Sequence, residues 1–136
     1  MKKFLMPFLL AVAILIPTTA AVEAADVPDF RQVAVNYVTD GERVHSKKGY
    51  YVYAYSCSVD LRPNFAEQYV DLLQRSGLTY TGHDYKDFRR TSAQTVEKWF
   101  FSCRGRRVEF WQYNYFNEGR ISFSVRVADG LTYAGN

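Results

Sequence analysis

The chain has 136 residues, with 17 Lys+Arg against 14 Asp+Glu and a formal net charge of +3. So mild an excess does not imply a polyanion partner, the length is in the normal range for one domain, and with no internal repeat or low-complexity tract no second domain is expected. Aromatic residues are the anomaly: they make up 17% of the chain and include 11 Tyr, a bias that favours strands and brings hydroxyls that need partners.

Met1-Lys2-Lys3 is a positive start, and Phe4 to Ile16 is an apolar run too short for a comfortable membrane span. Pro17 and Thr18-Thr19 end it, and Ala20, Ala21, Ala24 and Ala25 follow. This pattern predicts a secretory signal peptide over residues 1–24, cut after Ala24 or Ala20; an uncleaved N-terminal anchor is the alternative. No Cys lies near the cleavage region, which excludes lipoprotein attachment there. Residues 25–136 are expected to form a single small α+β domain outside the cytoplasm, periplasmic or secreted, with no stable membrane anchor after cleavage. Without Lys2, Lys3 and Glu23, 15 basic side chains face 13 acidic ones, a net charge of +2.

Asp26 to Phe30 reads as a loose leader. Gln32 to Val38 alternates, with Val33, Val35 and Tyr37 on one side, and is read as a strand. Thr39 to Glu42 and Lys47-Lys48-Gly49 are turns. Tyr50 to Val59 is the clearest strand: Tyr51, Tyr53, Tyr55, Cys57 and Val59 share one face, and Tyr50, Val52, Ala54, Ser56 and Ser58 the other.

Asn64 to Gly77 is expected to be an amphipathic helix. Phe65, Ala66, Tyr69, Val70, Leu72 and Leu73 fall on one arc, and Glu67, Gln68, Asp71, Gln74 and Arg75 on the other. Asn64 and Glu67 have capping-box spacing; Arg62 as cap with Pro63 at the first helical position is the other register. Gly77 stands where a left-handed C-terminal cap is wanted, and Leu78 can close over Leu73. Three or four turns are marginal alone, so the apolar arc needs a sheet to cover.

Leu78 to Gly82 is a short strand and His83 to Ser92 a long loop with room for a helical turn. Val96 to Cys103 fits helical and strand spacing alike; Arg104-Gly105-Arg106, a hairpin turn signal, decides for strand. Arg107 to Phe116 is a strand, Asn117-Glu118-Gly119 a turn, and Ile121 to Val127 a strand with Ile121, Phe123, Val125 and Val127 set against Ser122, Ser124 and Arg126. Gly130 to Asn136 is a tail. The expected architecture is one helix packed on a mainly antiparallel sheet of four to six strands, ending in a three-strand meander.

Little in this chain points to catalysis. His45 and His83 are isolated, no zinc-ligand spacing occurs, and no cofactor motif is present, so neither metal nor cofactor is expected. Asp60, Asp84, Glu97 and Glu109 are acids with no spacing that pairs them for glycoside hydrolysis. Cys57 and Cys103, the two cysteines, are expected to form a disulfide in an oxidising compartment. Arg89-Arg90 and Arg104, Arg106 and Arg107 are basic clusters near Trp99 and Trp111, but export and weak charge argue against nucleic acid; arginines that keep a strand edge soluble are the plain reading, and an anionic glycan or wall polymer is the better functional one.

The functional hint is the aromatic surplus. Tyr51, Tyr53 and Tyr55 form one ladder, and Trp111, Tyr113 and Tyr115 another; a ladder on the face away from the helix would be a binding strip, and one beneath it would be core. The expectation is an exported non-enzymatic module that binds a protein or envelope glycan through an aromatic sheet face. The alternative is an enzyme inhibitor acting through Arg104 and Arg106 at a hairpin tip, and behind it a small hydrolase. No motif encodes the partner's identity or the oligomeric state.

Overall fold

The computed structural model describes residues 25–34, 42–57 and 64–135. The signal peptide over 1–24 therefore lies outside the described residues, as do most of the proposed 32–38 strand and the end of the 50–59 strand.

The described chain is broadly α+β and mostly sheet. Its elements are β1 (Glu42–Ser46), β2 (Tyr50–Cys57), α1 (Asn64–Arg75), β3 (Thr79–Asp87), a single turn α2 (Arg89–Ser92), β4 (Gln94–Cys103), β5 (Arg106–Tyr115) and β6 (Arg120–Ala128). The six strands form one sheet in the order β1-β2-β6-β5-β4-β3, and every neighbouring pair is antiparallel. β2 and β3 therefore run parallel, and α1 links them across the width of the sheet. From β3 the chain returns strand by strand until β6 closes against β2.

Period-2 patterning explains the central strands, and turn chemistry explains their register. Arg104 and Gly105 both have positive φ, 50° and 76°, the conformation that lets a two-residue turn match the twist of β4 and β5. α1 ends as its sequence demands. Gly77 takes φ 101°, its N–H donates to the Gln74 carbonyl at 3.1 Å, and the Leu78 N–H donates to the Leu73 carbonyl at 3.1 Å.

One face of the sheet carries the core. Tyr53, Tyr55 and Cys57 of β2, Phe123, Val125 and Val127 of β6, Val108 and Phe110 of β5 and Phe101 of β4 are buried together with Phe65, Ala66, Tyr69 and Leu73 of α1. Glu67, Gln68, Asp71, Gln74 and Arg75 are exposed. The Tyr69 ring meets Phe110 edge-on at 4.8 Å.

Four expectations need correction. The Asp26–Phe30 stretch is no loose leader: Val27 and Phe30 are fully buried, and Val27 bridges to Tyr133 of the C-terminal tail. Phe30–Gln32 is a 3₁₀ turn capped by Asp29, which replaces the start of the strand read from Gln32. Residues 83–87 are strand, not loop, and β1 was not anticipated; both are sheet edges. β3 is exposed along nearly its whole length, and β1 turns Arg43 and His45 to the core side, so neither shows apolar alternation.

The disulfide is the fourth. Cys57 and Cys103 are not bonded to each other. Register explains why: the row through Cys57 runs Ile121, Asn114, Thr95, and Cys103 lies eight residues beyond Thr95 on β4. That is about 26 Å along the strand and about 14 Å across it, far outside bonding range.

The segment that leads into the 3₁₀ turn is clamped at Asp26. Both terminal nitrogens of Arg104 donate to the Asp26 carboxylate, and the Thr132 N–H donates to it at 2.9 Å. The Arg104 guanidinium, aided by the Thr132 N–H, holds the Asp26 carboxyl at about 2, below its ordinary 3.8. A lowered folded-state value means this contribution is present above about 3.8 and is lost as pH falls towards about 2. Asp26→Asn should therefore flatten the acid limb of a stability–pH profile from urea unfolding. The effect should be modest and salt-sensitive, since the pair is at the surface. An acid limb identical to wild type would refute the clamp.

Candidate functional site

The two aromatic ladders lie on opposite faces. Tyr51, Tyr53 and Tyr55 are in register with Val127, Val125 and Phe123, so they belong to the core side. Tyr53 and Tyr55 are buried, beneath Phe30 and Tyr133, and Tyr51 is partly buried. The Tyr55 and Tyr133 hydroxyls bond at 2.6 Å beside Asp29, and burial pushes both phenols well above the ordinary tyrosine range. The Tyr53 and Tyr55 rings thus belong to the core, and the Tyr55 hydroxyl is bonded within it; Tyr51 lies partly buried beside His45 and Arg43.

Trp111, Tyr113 and Tyr115 stand on the other face, half-buried. Among the described residues, α1, the 3₁₀ turn and the C-terminal tail all contribute to the core on the far side, and none of the clustered core residues comes from this face. Tyr113 and Tyr115 stack at 6.1 Å, and Tyr113 lies 5.8 Å from Trp111. Burial raises the Tyr113 phenol, opposed by the nearby Arg126.

Cations from neighbouring strands cover these rings. Lys98 is the cross-strand partner of Trp111 on β4, and its Nζ sits 3.9 Å from the indole centroid. Arg126 on β6 sets its guanidinium carbon 3.6 Å from the same ring and 5.8 Å from that of Tyr50. Arg120 lies 4.2 Å over Tyr115. Such contacts are favourable by roughly 0.5–2 kcal/mol each, more as water is excluded.

The acid in the middle is already committed. Glu109 is buried, accepts from Trp111 Nε1 at 2.8 Å, and is 3.5 Å from Arg107. Glu109 is also the cross-strand partner of Arg126, yet no ion pair joins them. Arg126 instead reaches the hydroxyls of Tyr50 and Tyr113 at 3.3 and 3.4 Å, and its buried Nε has no hydrogen-bond partner among the described residues. Lys98 stands opposite Asp84 without pairing to it. A concavity of about 530 Å³ opens over this cluster; Lys48, Tyr50, Phe100, Arg107, Trp111 and Arg126 are among its walls.

The remaining sequence candidates lie elsewhere. Arg104 binds Asp26, and Arg106 donates to the Asp129 carbonyl at 2.9 Å, so the hairpin-tip arginines fasten the segments around Asp26 and Asp129. His45 contacts Asp129 and His83 contacts Glu97, both at the surface and away from the concavity. Among the described residues no cluster of three or more His, Cys, Asp or Glu is placed to hold a metal ion, and no helix is long and apolar enough to cross a membrane. Sequence reasoning passed over Lys98, Tyr50 and Lys48. The parity of β6 had set Arg126 opposite the apolar residues, but only the register brings it to Trp111.

No protein family, curated protein or solved structure matches the chain.

Proposed function

We propose that the protein is an exported, non-enzymatic binding module that contacts a protein or an envelope glycan through the open face of its sheet. The observation that supports this reading is the half-buried row Trp111, Tyr113 and Tyr115 on the face opposite the core. In this reading the amphipathic helix seals one side of the sheet for stability, and the other side is left to a partner. The positive start, apolar run and small residues of 1–24 support export. An inhibitor acting through Arg104-Gly105-Arg106 has less support, because both guanidinium groups already bind the chain itself. A hydrolase has less again: among the described residues, Glu109 is the one acid that lines the concavity.

Changing Trp111, Tyr113 and Tyr115 together to Ser should leave cooperative unfolding intact, since the core lies on the other face, and abolish co-sedimentation with purified envelope material. A folded triple variant that still co-sediments like wild type would overturn the proposal. A triple variant that cannot fold would make the ladder part of the folding core and remove the proposal's support.

A further inference from the structure

The open face holds charges that its own chain does not neutralise. Lys98 and Arg126 come from the two strands flanking β5 and are both held against one indole. Their natural cross-strand acids, Asp84 and Glu109, do not pair with them. Lys48, on the rim, has no ion-pair partner among the described residues either. A half-buried guanidinium whose hydrogen bonds among the described residues are to two phenol hydroxyls, at 3.3 and 3.4 Å, is poorly satisfied. Two like charges on one ring also repel. An entering anion would relieve both costs together.

Resting on the reading that the open face binds, we infer that the concavity over Trp111 takes an oxyanion carried on a sugar ring, an acidic unit of a glycan, through Arg126 and Lys98 with Lys48 at the rim. The planar guanidinium matches a carboxylate or phosphate, and the ammonium groups supply charge without a fixed direction. The volume of about 530 Å³ lies inside the range of roughly 300–1,000 Å³ usual for small-molecule sites, so the occupant is one or two sugar units in size. Tyr50 and Phe100 provide apolar wall against which a ring can lie. Trp111 itself serves less as a stacking platform than as the support that fixes two cations in place. Its Nε1–H, turned to Glu109, keeps that acid from quenching Arg126.

The two tryptophans make the test direct, because Trp99 faces the core side beside Phe110 while Trp111 faces the concavity. The purified protein is titrated, with indole N–H resonances followed by NMR, against galacturonic acid, its methyl ester and mannose 6-phosphate, all single sugar units. The acidic sugar or the sugar phosphate should move the Trp111 signal saturably and leave Trp99 still; which of them binds tighter identifies the oxyanion as carboxylate or phosphate. The neutral ester should bind about tenfold or more weaker, as should the variants Arg126→Gln and Lys98→Gln towards the acidic ligand, the usual result of removing one charge-assisted hydrogen bond. Both variants keep the core, and their fold is checked by unchanged dispersion of the Trp99 signal.

The inference is overturned if the ester binds as tightly as the acid, if no oxyanion sugar gives a saturable shift at Trp111, or if an acidic peptide or an oligothymidylate binds better than either sugar. An ester that matches the acid at Trp111 sinks the charge argument and leaves the binding face standing. The face itself fails separately, if the triple Ser variant folds and still captures envelope material or if it cannot fold.

Discussion

Replacing Phe30 by Ala should cost about 3–5 kcal/mol, the usual price of truncating a buried aromatic ring. Phe30 is fully buried, and its ring centroid lies 5.5 Å from Tyr55, 5.2 Å from Tyr69, 5.3 Å from Phe110 and 4.5 Å from Phe123. One side chain thus joins β2, α1, β5 and β6. Its backbone N–H donates to the Tyr133 hydroxyl at 3.0 Å, and the Tyr69 hydroxyl donates to the Pro28 carbonyl at 2.6 Å, so the segment is held by polar contacts as well. A close-packed interior relaxes only partly around such a cavity, so the lost ring contacts are not fully recovered. Whole-domain stabilities are about 5–15 kcal/mol, so this one change should bring the fold close to its limit. Lys47→Ala, in an exposed turn, should stay within about 0.5 kcal/mol. Urea unfolding of both at unchanged m-value decides it; a loss below about 1 kcal/mol for Phe30→Ala would show that the N-terminal segment merely rests on the core.

Phe30 also shows what this sequence conceals. An aromatic anchor on a three-residue 3₁₀ turn has no periodicity, so nothing in Asp26 to Phe30 separates a buried plug from a loose leader. The edge strands are hidden for a related reason. β1 and β3 bury little, so their sequences need not alternate, whereas β2 and β6 each cover part of the core and carry the pattern that reveals them; β5 has apolar residues on both faces and is marked by the turn signals that flank it. Arg104-Gly105-Arg106 is what marks β4 as a strand, and the positive φ values of Arg104 and Gly105 are the physical content of that signal.

Parity was legible and facing was not. Alternation correctly groups Tyr51 with Tyr53 and Tyr55, and Trp111 with Tyr113 and Tyr115. Which group meets the helix depends on the register of five strand pairs and on the path of α1, and no local pattern carries that information. The same gap undid the disulfide. Both cysteines lie near the ends of strands and face the core, but β2 and β4 run in opposite directions, which sends their C-terminal ends to opposite ends of the sheet. Lys98, Trp111 and Arg126 likewise sit on three strands and meet only through register.

Leu73→Ala should cost about 2–5 kcal/mol, and Gln74→Ala, its immediate neighbour, under about 0.5 kcal/mol. Leu73 is fully buried in the core cluster with Phe65, Ala66, Tyr69 and Leu78, whereas Gln74 is exposed. The two residues have nearly equal helix propensity, and Ala is a better helix former than either, so the contrast reports burial rather than local preference. Leu73 also sits where the helix stops: its carbonyl accepts the Leu78 N–H at 3.1 Å, and Leu78 is buried beside it. Truncating Leu73 therefore removes a core contact and the apolar lid of the C-terminal cap together. Its cost should fall in the upper part of that range if the neighbours cannot close in. Urea denaturation followed by circular dichroism tests the pair directly. Equal losses at the two positions would mean that the helix does not bury this arc, and the division of the sheet into a covered and an open face would fall with it.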